Sequence, residues 1–260
     1  MKFITQIKSG ILEFFDQIGD LSFFSRRFFL EFLKPPYEFS ELLHQCYSVG
    51  NRSLPLVGIT GFIIGLVLTL QTRPTLQEFG AVSWMPNMVG ISIVREIGPV
   101  IVALICAGRV ASGMGAELGS MRVTEQIDAM EVSGTNPFKY LVVTRILATM
   151  LMVPILVVIG DAFALYGSFL VENLKGEVSF ALYFNKVFKS LGYSDLIPAV
   201  TKSFFFGFAI GLVGCYKGYH CKKGTVGVGV AANTAVVMAS MLIFIIDFVA
   251  VFISDIFYDL

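Results

Sequence analysis

Five long apolar runs constrain the fold of this chain more than any other feature. They occupy residues 54–71, 89–107, 140–170 and 196–219, and the fifth lies within residues 226–256. A helix needs about 20 predominantly apolar residues to cross the hydrocarbon core of a bilayer, and each run is long enough. Charged residues make up only 15% of the chain, against about a quarter in soluble domains. The sequence therefore predicts an all-α integral membrane protein with five transmembrane helices.

Several classes of function are disfavoured by composition and motif content. The net charge is zero, which gives no basic field for binding nucleic acid. The sequence contains no Gly-x-x-x-x-Gly-Lys-Ser/Thr loop, so the chain is not expected to bind ATP phosphates itself. Cys106 and Cys215 fall inside apolar runs and are predicted to be small buried residues. We therefore expect no metal, no cofactor and no catalytic residue, with any ATP bound by a partner subunit.

The first 34 residues are amphipathic and differ from the five runs. Apolar residues recur there at helical spacing, and Lys and acidic residues occupy the other face, a pattern that favours a helix lying in the headgroup plane. A helix that packs on another subunit is the alternative. Pro35 and Pro36 end the segment. We therefore divide the chain into an interfacial segment, residues 1–52, and a membrane-spanning domain, residues 53–258.

The distribution of charge in the loops predicts the orientation. Lys217 lies at the end of the fourth run, and Lys222 and Lys223 lie between the fourth and fifth runs, whereas Asp255 and Asp259 lie at the C-terminal end. Basic residues favour the cytoplasmic side, so the N-terminus should be cytoplasmic and the C-terminus periplasmic in a bacterial inner membrane. The segment between the second and third spans is then cytoplasmic. Residues 73–87 and 172–195 are predicted to be outer loops.

Charged residues inside the apolar runs are the most informative polar feature. Glu96, Lys202 and Asp247 lie on the second, fourth and fifth predicted spans. An isolated charge at the bilayer centre costs about 2.5–3.5 kcal/mol or more, so such side chains usually face a bundle interior or a wet cavity. Two compatible interpretations remain open. The three residues form part of a translocation cavity, or they form a buried salt bridge that fixes helix register.

A pair of acidic residues raises an enzymatic alternative. Asp161 and Asp247 both lie in predicted spans and could form the dyad of an intramembrane aspartyl protease. Asp161 follows Val-Ile-Gly, however, whereas such proteases carry Gly-x-Gly-Asp at this place. We therefore favour a protein without catalytic residues and keep proteolysis as an alternative.

A more polar segment, residues 108–134, separates the second and third spans. Residues 121–133 fit a short helix, and Gly134 is suited to be its C-terminal cap. A short cytoplasmic helix between two spans is the kind of element by which a transport permease docks into a motor subunit. An ordinary solvated connector is the alternative.

The predicted short helix has two different faces. Val123, Ile127 and Met130 form an apolar stripe that can pack on the bundle and leave charged residues directed outward. Gln126 lies inside the predicted helix, so a proline there is expected to break it. The residues that we expect to couple the chain to an ATPase are Glu117, Gly119, Met121, Arg122, Thr124, Glu125, Gln126, Asp128, Met130 and Glu131.

One ordered set of short motifs resembles a known family. It begins with Arg-Ser-Leu-Pro at residues 52–55 and a pair of glycines, Gly61 and Gly65, whose spacing permits close helix contact. The set continues with Val-Arg-Glu-Ile-Gly-Pro at 94–99, Ala-Gly-Arg at 107–109, Ala-Glu-Leu-Gly at 116–119, Met-Arg-Val-Thr-Glu-Gln-Ile-Asp-Ala-Met-Glu at 121–131, Lys202, Gly-Cys-Tyr at 214–216 and Asp-Phe at 247–248. In this order the motifs resemble the MlaE (YrbE) permease family of lipid-transporting ABC systems over roughly residues 42–253.

The resemblance implies a homodimeric permease of the bacterial inner membrane. Its expected partners are a cytoplasmic ABC ATPase, a STAS-domain protein and a periplasmic MCE-domain hexamer. Together they would move phospholipid between the inner and outer membranes and maintain outer-membrane lipid asymmetry. The charged positions of the family match Glu96, Lys202 and Asp247, and its coupling helix matches Glu117 through Glu131. A stand-alone secondary carrier, with Glu96 and Asp247 as proton sites, is the alternative transport class.

Overall fold

The computed structural model describes residues 19–35, 37–176 and 178–258. These residues form helices joined by short turns, and no strand occurs among them. Five helices are long and apolar enough to span a membrane, which confirms the predicted fold class. The helices are α1 (residues 19–32), α2 (Phe39–Glu78), α3 (Val82–Val123), α4 (Gln126–Val132), α5 (Phe138–Gly176), α6 (Phe180–Ser190), α7 (Tyr193–Tyr219) and α8 (Thr225–Tyr258).

The spanning helices α2 and α5 pack closely because small residues line their contact. Gly61 and Gly65 of α2 face Gly160 and Ala164 of α5. A Cβ atom added at Gly61 would lie 2.6 Å from the Gly160 carbonyl oxygen, and one at Gly65 would overlap the Ala164 carbonyl. The glycine pair therefore lets the two backbones touch, as its spacing predicts.

The main core lies between α3, α5 and α7. Cys106, Ile146, Phe206 and Ile210 are fully buried there. Cys215 is buried in the same cluster, so both intramembrane cysteines pack as small apolar side chains, as predicted.

The helix α1 packs on the bundle through one face. Phe24 and Phe28 are buried, and the Phe24 ring lies 5.0 Å from the ring of Phe138 on α5. Phe23 and Leu33 are exposed, which leaves an apolar surface away from the bundle. Its helical residues end at 32, before the predicted stop at the two prolines. The first half of the predicted interfacial helix, residues 1–18, lies outside the described residues, and a position in the headgroup plane stays a prediction.

Two predicted loops are more ordered than the sequence indicates. The prediction of a loop from residue 73 is wrong, because α2 continues to Glu78 and α3 begins at Val82. The helix can continue past Arg73 because the charge of this residue is neutralised: its guanidinium donates to Glu172 Oε1 at 2.5 Å and to the Lys175 carbonyl at 2.9 Å. The second predicted loop contains α6, whose buried Tyr183 donates to Ser168 Oγ at 2.6 Å. Burial raises the pKa of Tyr183 to about 12, which keeps this hydroxyl a donor.

The short helix after the second span begins later than predicted. Residues 121–123 belong to the end of α3, and the chain then turns at Thr124 and Glu125 before α4 begins at Gln126. Glu125 has φ 61°, a left-handed conformation that is uncommon outside glycine. Gly134 has φ 81° after the helix ends, as expected for a cap. Gln126 is therefore the first residue of α4 and not an interior one, so a proline there would remove no hydrogen bond within the helix. It would follow Glu125, however, whose left-handed conformation is disfavoured before proline. The effect of a proline at this position stays a prediction.

Candidate functional site

Three of the predicted site residues meet between the spanning helices. Lys202 Nζ of α7 donates to Glu96 Oε2 of α3 at 2.7 Å and to Asp247 Oδ1 of α8 at 2.9 Å. The Lys202 side chain is 3% exposed, whereas Glu96 is 38% and Asp247 is 20% exposed. One buried cation therefore links three helices, and part of its carboxylate shell is accessible.

A local change in helix geometry positions Glu96. Residues Ile93–Ile97 form a π-helical turn inside α3, and such single-turn insertions often occur at functional sites. Arg95 extends the cluster, because its Nη1 lies 3.8 Å from Asp195 Oδ1 at the start of α7. Arg95 and Asp195 were not among the site residues predicted from the sequence. The adjacency of Arg95 to Glu96 was the signal that could have indicated a larger network.

The arrangement provides hydrogen bonding and charge. Arg95, Glu96, Asp195, Lys202 and Asp247 contribute two cations and three carboxylates within an apolar bundle. Among the described residues, no three His, Cys, Asp or Glu side chains group as metal ligands would. The cluster can hold helices in register and can contact a polar group that passes the bundle.

Five of the predicted coupling residues form one exposed surface. This coupling surface surrounds the turn between α3 and α4, on the side away from the spans. Arg122 lies beside it and forms an ion pair with Asp128, which ties α3 to α4. The residues of the coupling surface are Thr124, Glu125, Gln126, Asp128 and Glu131.

The remaining predicted coupling residues lie elsewhere. Met121 and Met130 are partly buried against the core. Gly119 is buried, and a Cβ atom added there would lie 3.3 Å from Cys221 Sγ. Glu117 accepts a hydrogen bond at 2.7 Å from Arg145 Nη2, a side chain only 2% exposed. The structure therefore places these four residues in packing or ion pairing rather than on the coupling surface.

Comparison with known families decides the class of this protein. The family model described as permease MlaE matches residues 42–253, which is most of the chain. The chain belongs to the MlaE permease family. The intermembrane phospholipid transport system permease protein MlaE of Haemophilus influenzae is 29% identical to it, over 96% of each chain.

Other relatives of this MlaE-family permease carry a related description. A probable ABC transporter permease protein of Rickettsia prowazekii is 38% identical, over 95% of this chain and 94% of its own length. A probable ABC transporter permease protein of Synechocystis is 33% identical, over 90% of this chain and 89% of its own length. The protein is accordingly a multi-pass membrane permease of the ABC-transporter class, and such permeases are not themselves enzymes.

The two intramembrane aspartates of this MlaE-family permease lie in different surroundings. Asp247 accepts its hydrogen bond from Lys202. Asp161 lies on α5 against Gly98, and none of the described residues hydrogen-bonds to its buried Oδ1 atom. Asp247 is therefore held in an ion pair, and nothing in the geometry favours proteolysis.

Proposed function

We propose that this chain is the permease subunit of an ATP-driven transporter that moves phospholipid between the inner and outer membranes of a bacterium. This activity would maintain the lipid asymmetry of the outer membrane. One observation carries the proposal: the similarity to the intermembrane phospholipid transport permease of Haemophilus influenzae extends over 96% of each chain.

The charge cluster is proposed to form part of the translocation path. A phospholipid combines apolar tails with a charged headgroup, so its passage needs polar groups inside an apolar bundle. Lys202 is buried and links α3, α7 and α8, whereas Glu96 is partly exposed. The same cluster can thus hold the helices together and present charge to a passing headgroup. No observation favours Glu96 and Asp247 as free proton carriers, since both are bound to Lys202.

We infer an inner-membrane location with a cytoplasmic N-terminus and a periplasmic C-terminus. Lys222 and Lys223 lie in the turn between α7 and α8 and are exposed, and Asp255 lies near the end of α8. This distribution follows the bias of basic residues toward the cytoplasm. Asp259, which contributes to the same expectation, lies outside the described residues.

The proposed energy source is a separate cytoplasmic ABC ATPase. The coupling surface carries Glu125, Asp128 and Glu131, and α4 is anchored beneath it by the fully buried Ile127. An anchored helix can transmit movement from a partner to the spans. A STAS-domain protein and a periplasmic MCE-domain hexamer are proposed as the other components.

We infer that a second copy of the chain covers α8. In the most apolar 18-residue stretch of α8 only 11% of the residues are buried, whereas 33–61% are buried in the corresponding stretches of the other four spans. Its exposed side chains include Val237, Met241, Phe244 and Phe248. Five helices are few to enclose acyl chains, whereas a twofold assembly doubles the number that can line a cavity.

Co-purification tests the proposed function. The tagged chain is solubilised in a mild detergent, and its partners and bound lipids are identified by mass spectrometry. We expect an ABC ATPase and phospholipid, both well above a mock purification from the same membranes. Recovery of the chain with neither of them would contradict the proposal.

A further inference from the structure

A cavity of about 550 Å³ with both polar and apolar lining lies between α2 and α3, at the end of the bundle that carries α4. Arg52 and Arg109 line it from opposite helices, together with Gln45 and Ser53. Gln45 is 7% exposed and Ser53 is fully buried, so polar groups form the inner wall as well as the mouth. This Arg52–Arg109 cavity is separate from the Lys202 cluster, with which it shares no lining residue.

The cavity carries an excess of positive charge. Neither Arg52 nor Arg109 forms an ion pair with any described residue, and Arg109 makes one weak hydrogen bond, 3.4 Å to Ser53 Oγ. Glu117 lines the cavity but is bound at 2.7 Å to Arg145, outside the lining. Arg109 is partly buried and Arg52 is exposed, and an anion in the cavity could accept hydrogen bonds from both guanidinium groups.

The depth of the cavity matches the headgroup level of a bilayer. Arg52 lies two residues before the apolar run of residues 54–71, and Arg109 lies three residues after the apolar residues Gly98–Cys106 of α3. Both arginines thus lie where the hydrocarbon region ends. Val49, Val110 and Met114 line the same cavity and add apolar surface beside the charges. Basic pockets between spanning helices at this level are suited to lipid headgroups.

We propose that the Arg52–Arg109 cavity binds the phosphate group of a phospholipid headgroup. The planar guanidinium offers paired donors that fit phosphate oxygens, and both arginines have donors free for that purpose. The inference rests on the proposed function, because it takes its ligand from the proposed cargo. It adds a headgroup site that differs from the Lys202 cluster, where carboxylates outnumber the buried cation. Inorganic phosphate shares the chemistry but lacks the acyl chains.

Gly113 offers a matched pair of variants for the test. It lines the cavity, and a Cβ atom added there would meet no atom within 4 Å. Gly113→Glu would place a carboxylate in the cavity lining, four residues after Arg109 on the same helix, whereas Gly113→Gln adds a side chain of the same size without charge. Binding is measured by fluorescence polarisation of tail-labelled phosphatidylglycerol to the full chain in detergent. We expect Gly113→Glu to bind about tenfold more weakly than Gly113→Gln.

A second pair of variants tests the arginines directly. Arg52→Gln removes an exposed lining charge and should weaken binding, whereas Arg26→Gln makes the same change on exposed α1 and should not. Labelled diacylglycerol, which has the tails but no phosphate, should bind all variants equally. Because Arg52 is exposed, this pair carries the test if Gly113→Glu fails to accumulate.

The outcomes separate the inference from the proposed function. Equal affinity of the Gly113 pair, or of the Arg52 and Arg26 variants, for phosphatidylglycerol would overturn the inference alone. Displacement of the lipid by inorganic phosphate would reassign the cavity to a free anion and also overturn it. A wild-type chain that binds no phospholipid would contradict the proposed function as well.

Discussion

At the scale of single residues, three of the four buried cations among the described residues are bound to carboxylates. Arg73 is paired with Glu172, Arg145 with Glu117, and Lys202 with two acids at once. A buried charge whose partner is removed typically destabilises a protein by about 3–5 kcal/mol. The ion pairs of Lys202 therefore stabilise the packing of α3, α7 and α8.

The Lys202 network can be separated into structural and transport roles. Lys202→Met leaves two carboxylates without their cation and should lower the melting temperature in detergent. A triple variant that adds Glu96→Gln and Asp247→Asn removes all three charges, so it should recover most of that loss. Transport should stay impaired in the triple variant if the charges contact the headgroup.

Lys222→Met serves as the control for this experiment, because it removes an exposed lysine outside the spans. It should leave melting and transport unchanged. A Lys202→Met protein that melts as the wild type does would refute the structural role. Normal transport by the triple variant would refute the role in the path.

At the scale of elements, the turn between α3 and α4 is the feature most suited to transmit movement. α3 ends at Val123, Glu125 adopts a left-handed conformation, and α4 is anchored by the buried Ile127. The Arg122–Asp128 pair bridges the turn. Movement of α4 would therefore reach α3, which carries Glu96.

A pair of variants at Ala129 tests this element. The Ala129 amide donates to the Glu125 carbonyl at 2.9 Å, and Ala129→Pro removes that bond in the helix interior, at a cost of about 3 kcal/mol. Ala129→Ser changes the same exposed position but keeps the amide donor. We expect Ala129→Pro to insert normally but to lose ATPase recovery in a pull-down, and Ala129→Ser to retain it. Equal recovery with both variants would rule out a rigid coupling helix.

The sequence predicts some elements well and others poorly, for physical reasons. Long apolar runs indicate which residues can lie in the hydrocarbon core, so all five spanning helices could be predicted from the sequence. They do not report where a helix ends: α2 passes Arg73 because a distant residue, Glu172, neutralises it. Glu96, Lys202 and Asp247 could be predicted as site residues because each is a charged residue inside an apolar run, and the structure brings them together. Asp195 was missed because it lies outside the runs and acquires its partner, Arg95, only through folding.

At the scale of the whole molecule, burial is unevenly distributed among the spans. α5 lies at the centre of the bundle, whereas α8 presents most of its apolar surface outward. A surface of this kind suits lipid or a second protomer. The proposed twofold assembly would place two Lys202 clusters and two Arg52–Arg109 cavities in one transporter.

Cysteine labelling tests the proposed orientation. Lys222→Cys and Asp255→Cys are introduced into a background in which Cys46 and Cys221, the less buried native cysteines, are serine. A membrane-impermeant maleimide applied to intact spheroplasts should label position 255 and reach position 222 only after permeabilisation. The reverse pattern would overturn the orientation.

Lipid movement in proteoliposomes tests the central claim most directly. The chain is reconstituted with its co-purified ATPase, and transfer of fluorescent phospholipid out of the vesicles is followed with and without ATP. We predict transfer that requires ATP hydrolysis, stops when the ATPase subunit is inactivated by mutation, and is insensitive to a proton ionophore. Transfer that proceeds without nucleotide and collapses with the ionophore would contradict the account and identify a secondary carrier.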